Sequence, residues 1–378
     1  MIKITKSTEQ LQQELQVWID AVPKADPARM DEARARQEKL AKPPGSLGKL
    51  EDISVRLAGM TGKLHNKMDH CRIIVLCSDN GVVAEGVACA PQSVTLAQTL
   101  NLTRGMTGAS CLAKHFGDDM VVVDMGVNAQ VGDPRVVDRK IAMGTRNLYR
   151  EPAMTRSQAL QAILVGAELA KQAAEDGIDA VGVGEMGIGN TTTSSAVLCA
   201  LTGAAVEQVT GRGGGVNDEG FRRKKHVIRH ALELHRPDPG DPVDVLTKVG
   251  GFDLCAMCGV FLGCARYRVP VVIDGFISVV AALCAARLSE NVRDFLFASH
   301  ASYEIGYQIA VRELGVEPWL MLDMRLGEGS GCPVAFRVMD AACAILNEMA
   351  TFEEAAINDE YLEEIRAKDS FTVEREPS

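Results

Sequence analysis

The chain reads as an α/β protein: a parallel, Rossmann-like sheet flanked by helices, with a small helical domain formed from the N- and C-terminal segments. Three observations predict this. Apolar runs without polar alternation recur as IIVLC (73–77), MVVVDMG (120–126), AVGVGEMG (180–187), VPVVIDGF (269–276), FLFAS (295–299) and WLMLDM (319–324). Each gives way to a helix pattern, and continuous apolar strands alternating with helices belong to a parallel sheet covered on both faces. Before Arg72 no such run occurs, and the periodicity is helical.

The elements follow in order. Residues 8–64 look helical: Leu11, Leu15 and Trp18 recur at helix spacing, and the charged run DEARARQEKLAK comes next. The stretch KPPGSLG (42–48) breaks the pattern and Leu50 to Met60 resumes it. The strand-and-helix texture then fills the middle. After Ala350 the stretch TFEEAAINDEYLEEIRA is acidic and reads as a last helix packing back on the N-terminal ones. The expected division is a helical domain of residues 1–66 completed by 351–370, an α/β domain over 67–350, and a polar tail at 371–378.

Composition narrows the function. A length of 378 residues with 47% hydrophobic content is enough for a large core. Aromatics are only 4% while glycine reaches 35, which suggests packing through small residues. A net charge of −10 argues against nucleic-acid binding, which needs a basic footprint, but allows a locally held phosphate. No stretch approaches a membrane span, and the polar N-terminus lacks the apolar core of a signal peptide. The eleven cysteines lie mostly in apolar runs, as in a reducing compartment, so the cytoplasm is expected. No cofactor and no metal are expected.

Chemistry concentrates in glycine-rich loops at predicted strand ends, where ligands of parallel sheets sit. RLGEGSG (325–331) holds one carboxylate, Glu328, between glycines that leave room for a ligand. GEMGIGNTTT (184–193) is a strand end, a glycine turn and a helix start; anion binding and a plain tight turn both fit it. It is neither a Walker A loop nor a dinucleotide fingerprint, which argues against a dehydrogenase. GRGGG (211–215), ahead of the basic run FRRKKHVIRH, fits an anion or a flexible loop. Asp79 and Glu85 have no neighbouring ligand set for a metal. Cys255 and Cys258 have redox spacing but sit mid-helix among apolar residues, so packing is expected. His300, at the end of FLFAS, is a ligand contact or a cap.

KPPGSLGKLE (42–51), DNGVVAEGVACAPQSVT (79–95), GEMGIGNTT (184–192), VGGFDL (249–254), RVPVVIDGF (268–276) and RLGEGSG (325–331) occur in one order. This ordered set resembles the nicotinate-nucleotide:5,6-dimethylbenzimidazole phosphoribosyltransferase family of cobalamin lower-ligand assembly, over residues 28 to 356. The resemblance implies a pentosyltransferase whose substrates are nicotinate mononucleotide and an aromatic base. It also implies a homodimer with sites near the subunit interface. It assigns Glu328 as catalytic base and Glu185 as a second active-site acid. It points to Gly187, Asn190, Thr191, Thr192, Gly213, Lys224 and Ser302 on the phosphate and ribose side, and to Ala90, Gln98, Met186 and Leu326 around the base. Two departures stand out: Asn80 where many relatives have His, and Ala90 where some have Ser. The second leaves the acceptor open between benzimidazoles and the phenols that relatives on this fold also activate. A silent partner subunit would be expected to lack Glu328, which this chain has.

Overall fold

The computed structural model describes residues 1–363. Its strands are β1 (Cys71–Ser78), β2 (Asp119–Gly126), β3 (Val136–Asp138), β4 (Ala180–Met186), β5 (Val271–Ile273), β6 (Leu296–His300) and β7 (Pro318–Leu320). In chain order the helices begin with α1 (Thr8–Asp20), α2 (Pro27–Lys39), α3 (Lys49–Thr61), α4 (Ser93–Thr103), α5 (Gly108–Phe116), α6 (Arg156–Glu175) and α7 (Asn190–Thr202). They continue with α8 (Val206–Val209), α9 (Asp218–His235), α10 (Pro242–Val249), α11 (Phe252–Arg266), α12 (Phe276–Leu288), α13 (Tyr307–Leu314) and α14 (Cys332–Glu348). None of them is long and apolar enough to cross a membrane.

The chain divides into two compact units. The larger, Met1–Lys24 with His70–Ala335, contains one seven-stranded sheet in the order β3-β2-β1-β4-β5-β6-β7. Every neighbouring pair is parallel. The chain runs outward from β1 through β2 to β3, then returns to lay β4 on the other side of β1. That reversal opens a crevice at the carboxyl ends of the strands, where ligands of doubly wound sheets bind. β1 is buried along nearly its whole length, as its unalternating sequence requires.

Small residues let the layers approach. A Cβ on Gly166 of α6 would lie 1.9 Å from the Ala256 carbonyl of α11, and one on Gly259 of α11 would lie 1.8 Å from that of Ile163. The two helices therefore pack backbone against backbone, and α11 is buried from Phe252 to Ala265. Cys255 and Cys258 belong to this core, where burial pushes both thiols well above their ordinary range. They are packing residues, as their mid-helix setting suggested.

The structure departs from expectation at the edges and ends. β3, a three-residue edge strand, carries too little pattern to read. The run WLMLDM pairs only at its start, and Met321 and Leu322 beyond it are exposed. The first helix joins the sheet unit rather than a helical domain of residues 1–66. Its stripe of Leu11, Leu15 and Trp18 is buried, α1 packs on α6 and α11, and the Trp18 ring meets Tyr267 edge-on at 6.0 Å.

The smaller unit is Ala25–Asp69 with the chain from Phe336, so the division falls within α14. Ala33, Val55, Ala58 and Leu346 form its core, with Met30 and Leu64 against them. In KPPGSLGKLE, Lys42 and Glu51 form a buried ion pair at 2.7 Å, and Glu51 also accepts from Leu47 N at 3.0 Å. The expected last helix is absent where the structure describes it. Thr351 bridges to Leu40 and Phe352 N donates to the Lys39 carbonyl, so the chain enters as a strand-like pairing and goes on in turns. Glu360–Leu362 winds as a 3-10 turn, and Glu363, the last described residue, is helical. The remainder of the expected 351–370 segment and the tail at 371–378 lie outside the described residues.

Candidate active site

An open cleft of about 270 Å³ lies at the carboxyl ends of β4, β5 and β6, with one wall from residues 87–98 after β1 and another from 325–328. Glu328 enters it from a turn in left-handed backbone: φ is 84° at Gly327, 64° at Glu328 and 86° at Gly329. A non-glycine residue there costs about 1–2 kcal/mol, so the surroundings must hold it. They do so from three directions. Its Oε2 accepts from Ala109 N at 3.1 Å, in the first turn of α5, where the helix dipole favours negative charge. Its own N–H faces Glu185 Oε1 at 3.4 Å. Its backbone lies so close to β4 that a Cβ on Gly184 would sit 2.4 Å from the Glu328 carbonyl oxygen. Oε1 makes no hydrogen bond to the protein among the described residues and is open to a ligand.

Asp274, just beyond β5, clamps the same turn. Its two carboxylate oxygens accept from Gly331 N at 2.7 Å and Gly329 N at 3.1 Å. Burial pushes its carboxyl up to about 7, against the pull of those two N–H groups. Glu185 is pushed up to about 8 by burial and by Asp253, while the Asn190 amide, which donates to its Oε2, opposes the shift. Asp253, at the start of α11, is raised to about 6, again mainly by burial. Burial thus pushes Glu185 toward its protonated form. The cleft floor is rich in carboxyls with little compensating positive charge, a setting that favours a cationic ligand group.

The opposite end suits an anion. α7 starts at Asn190 behind Gly189, whose φ is 94°, and the 212–214 loop lies against it: a Cβ on Gly213 would sit 2.7 Å from Thr191 Oγ1. Lys224 of α9 lies beneath, 1% exposed, with Nζ donating to Thr191 Oγ1 at 2.8 Å and to the Gly211 carbonyl at 3.1 Å. Burial pulls its ammonium down to about 8.

Of the residues singled out in the sequence, Glu328, Glu185, Gly187, Asn190, Thr191, Gly213, Ser302, Ala90, Gln98, Met186 and Leu326 all line this one cleft. Thr192 and Lys224 do not. Thr192 turns into the core at 0% exposure, and Lys224 backs the wall instead of forming it, because α7 and α9 pack those sides inward. His300 lines the cleft as a strand-end residue. Asp79 accepts from Asn128 N at 2.8 Å and Glu85 from Asn147 Nδ2 at 2.6 Å, so the two acids serve separate loops. Asp274, Arg212 and Glu304 also line the cleft without having been singled out. The signal available for Asp274 was an acid between an apolar run and a glycine, the same setting that drew attention to Glu328.

Known proteins resemble this chain over most of its length. A phosphoribosyltransferase family model matches residues 22–357. The nicotinate-nucleotide–dimethylbenzimidazole phosphoribosyltransferase of Clostridium perfringens is 54% identical over 341 residues, 90% of this chain and 94% of that protein. The protein of the same name from Clostridium tetani is 46% identical over 345 residues, 91% and 95% of the two chains. Among solved structures, CobT from Thermus thermophilus matches with a TM-score of 0.85 at 40% identity, over 88% of this chain and 100% of that one.

Proposed function

The chain belongs to the nicotinate-nucleotide–dimethylbenzimidazole phosphoribosyltransferase family, and on that premise we propose that it converts nicotinate mononucleotide and 5,6-dimethylbenzimidazole to α-ribazole 5′-phosphate and nicotinate, in cobalamin lower-ligand assembly. The observation that carries this reading is a carboxylate with a free oxygen, Glu328, held on a strained turn beside Asp274 and sharing one cleft with an anion cradle at the start of α7. The nicotinate ring is cationic while bound to the ribose, so it leaves as a neutral ring nitrogen and needs no general acid. One acceptor ring nitrogen forms the new bond to C1′ as the bond to nicotinate breaks, and the acceptor's other ring nitrogen gives its proton to Glu328. Attack from the opposite face turns the β-glycoside into an α-glycoside. Buried carboxyls around the floor, Asp274 among them, would stabilise the developing positive charge of the sugar.

The remaining roles follow the geometry. Glu185, tied to Asn190 and the Glu328 N–H, is suited to orient the turn and a bound ring. Gly187, Asn190, Thr191, Gly213 and Ser302 would receive the ribosyl phosphate, with Thr192 and Lys224 supporting from behind. Ala90, Gln98, Met186 and Leu326 would enclose the acceptor base. A homodimer is the expected working form: the segments that carry cleft residues Ser302, Glu304 and Arg325 also carry the exposed apolar side chains Tyr303, Ile305, Met321 and Leu322. The cytoplasm is the expected compartment, since every cysteine is a free thiol and most are buried.

The test is direct. Purified protein is given nicotinate mononucleotide with a mixture of dimethylbenzimidazole, adenine and phenols, and the products are identified by mass. A dimethylbenzimidazole riboside phosphate is the expected dominant product. No riboside phosphate of any acceptor would overturn the reading.

A further inference from the structure

His300 ends β6, is 1% exposed, and still lines the cleft beside Gly275 and Ser302. A Cβ on Gly275 would lie 3.6 Å from Ser302 Oγ and 3.8 Å from His300 Nε2, so both groups face the space over that glycine. The other ring nitrogen is committed to the protein. Ser299 Oγ donates its only proton to the Asp274 main-chain carbonyl at 3.1 Å, so at 3.0 Å from His300 Nδ1 it can only accept. The proton therefore sits on Nδ1, with Asp274 Oδ1 on the same side at 3.9 Å. Burial pulls the imidazole down to about 4, so the ring is neutral. Nε2 is left as a lone-pair acceptor facing the cleft, with no hydrogen bond to the protein among the described residues.

An acceptor in a ligand site selects a donor. A nucleotide phosphate and a nicotinate carboxylate offer none once ionised, and the N–H of the acceptor base is the proton assigned to Glu328. The donors that remain are the sugar hydroxyls. We propose that His300 reads the sugar of the nucleotide: Nε2 accepts a hydrogen bond from a ribose hydroxyl, which makes this histidine a specificity determinant for ribosyl over deoxyribosyl phosphates. The assignment rests on the nucleotide reading above. It adds to that reading the group that distinguishes one sugar from another.

The test compares nicotinate mononucleotide with its 2′-deoxy and 3′-deoxy analogues in the wild type, His300→Ala and His300→Gln. The wild type is expected to prefer the full nucleotide over one analogue by about 10- to 100-fold in kcat/KM. In His300→Ala that preference should fall to within about threefold, because only the hydroxyl-bearing substrate loses a partner. His300→Gln, which restores an acceptor oxygen, should recover part of it. An equal fall with all three substrates, or no wild-type preference for either hydroxyl, would overturn the proposal. Calorimetric titration of the wild type with ribose 5-phosphate and its 2- and 3-deoxy analogues separates this from the function itself. If nicotinate mononucleotide gave no transfer, the function would fail while the titration still judged His300. Equal binding of the three sugars, or no binding, would sink the assignment.

Discussion

Replacing Glu328 with Gln should abolish most turnover while leaving the nucleotide bound. Gln has the same length, and its carbonyl oxygen can take the place of Oε2 as acceptor for Ala109 N, 3.1 Å away in the native turn. The left-handed conformation, with φ of 64°, strains Gln about as it strains Glu, and the Asp274 clamp on Gly329 and Gly331 is untouched. The only thing removed is the proton acceptor at Oε1. General-base assistance is worth roughly 10²- to 10⁴-fold, a barrier increase of about 3–5 kcal/mol. The assay is formation of the riboside phosphate at saturating nicotinate mononucleotide and dimethylbenzimidazole, with calorimetric titration of the nucleotide beside it. The expected result is a fall of at least about a hundredfold in kcat with nucleotide affinity within about threefold. Glu328→Asp should also lose rate, because a chain shorter by about 1.5 Å cannot keep Ala109 and reach the acceptor together. A kcat for the Gln variant within about tenfold of wild type, or a loss confined to KM, would show that the acceptor's proton goes elsewhere.

Four further outcomes are expected, at three residues. Lys224 holds Thr191 and the Gly211 carbonyl, and burial pulls its ammonium down to about 8, so KM for nicotinate mononucleotide should rise as pH increases past that region; a Lys224→Met variant should have a high KM with that dependence gone, and an unchanged pH profile would show that another group sets it. Asp274→Asn leaves one of the Gly329 and Gly331 N–H groups facing an NH₂, which should cost about 1–3 kcal/mol in denaturant unfolding and lower kcat. The same acid also sets a pH trend. Its folded value of about 7 lies above that of an ordinary carboxyl, so its favourable contribution is complete below pH ~4 and is lost as pH rises through about 7. The ligand-free protein should therefore melt lower at pH 8 than at pH 6, and the variant should show less of that difference. Ala90→Ser adds a hydroxyl to the cleft wall and should change the ranking of acceptor bases in the competition assay; an identical ranking would mean that position 90 does not read the base.

The sheet was legible because parallel strands buried on both faces carry apolar runs without alternation, and β1, β2, β4 and β6 each contain one, at residues 73–77, 120–123, 180–183 and 296–298. β3 and the limits of β7 were not, since a three-residue edge strand exists through its partner rather than its own pattern. Glu328 was legible from its setting between glycines. Asp274 stood in a similar setting, but its significance lies in two N–H groups of a distant turn, and sequence spacing does not encode that pairing. Thr192 and Lys224 sit in the right segments, but the faces of α7 and α9 that turn inward are set by what packs on them.

The sequence by itself determined the strand-and-helix alternation, the glycine loops at strand ends and the lone acid among them, because each depends on local conformational preference and burial pattern. Whether the first helix joined the sheet was a tertiary matter: the stripe of Leu11, Leu15 and Trp18 demands a cover without naming one, and α6 and α11 supply it. The tertiary structure also decided the chemical state of the site. Glu185 is pushed toward its protonated form by burial and by Asp253, and His300 presents a bare Nε2 because Ser299 fixes its tautomer; only the fold brings those groups within reach.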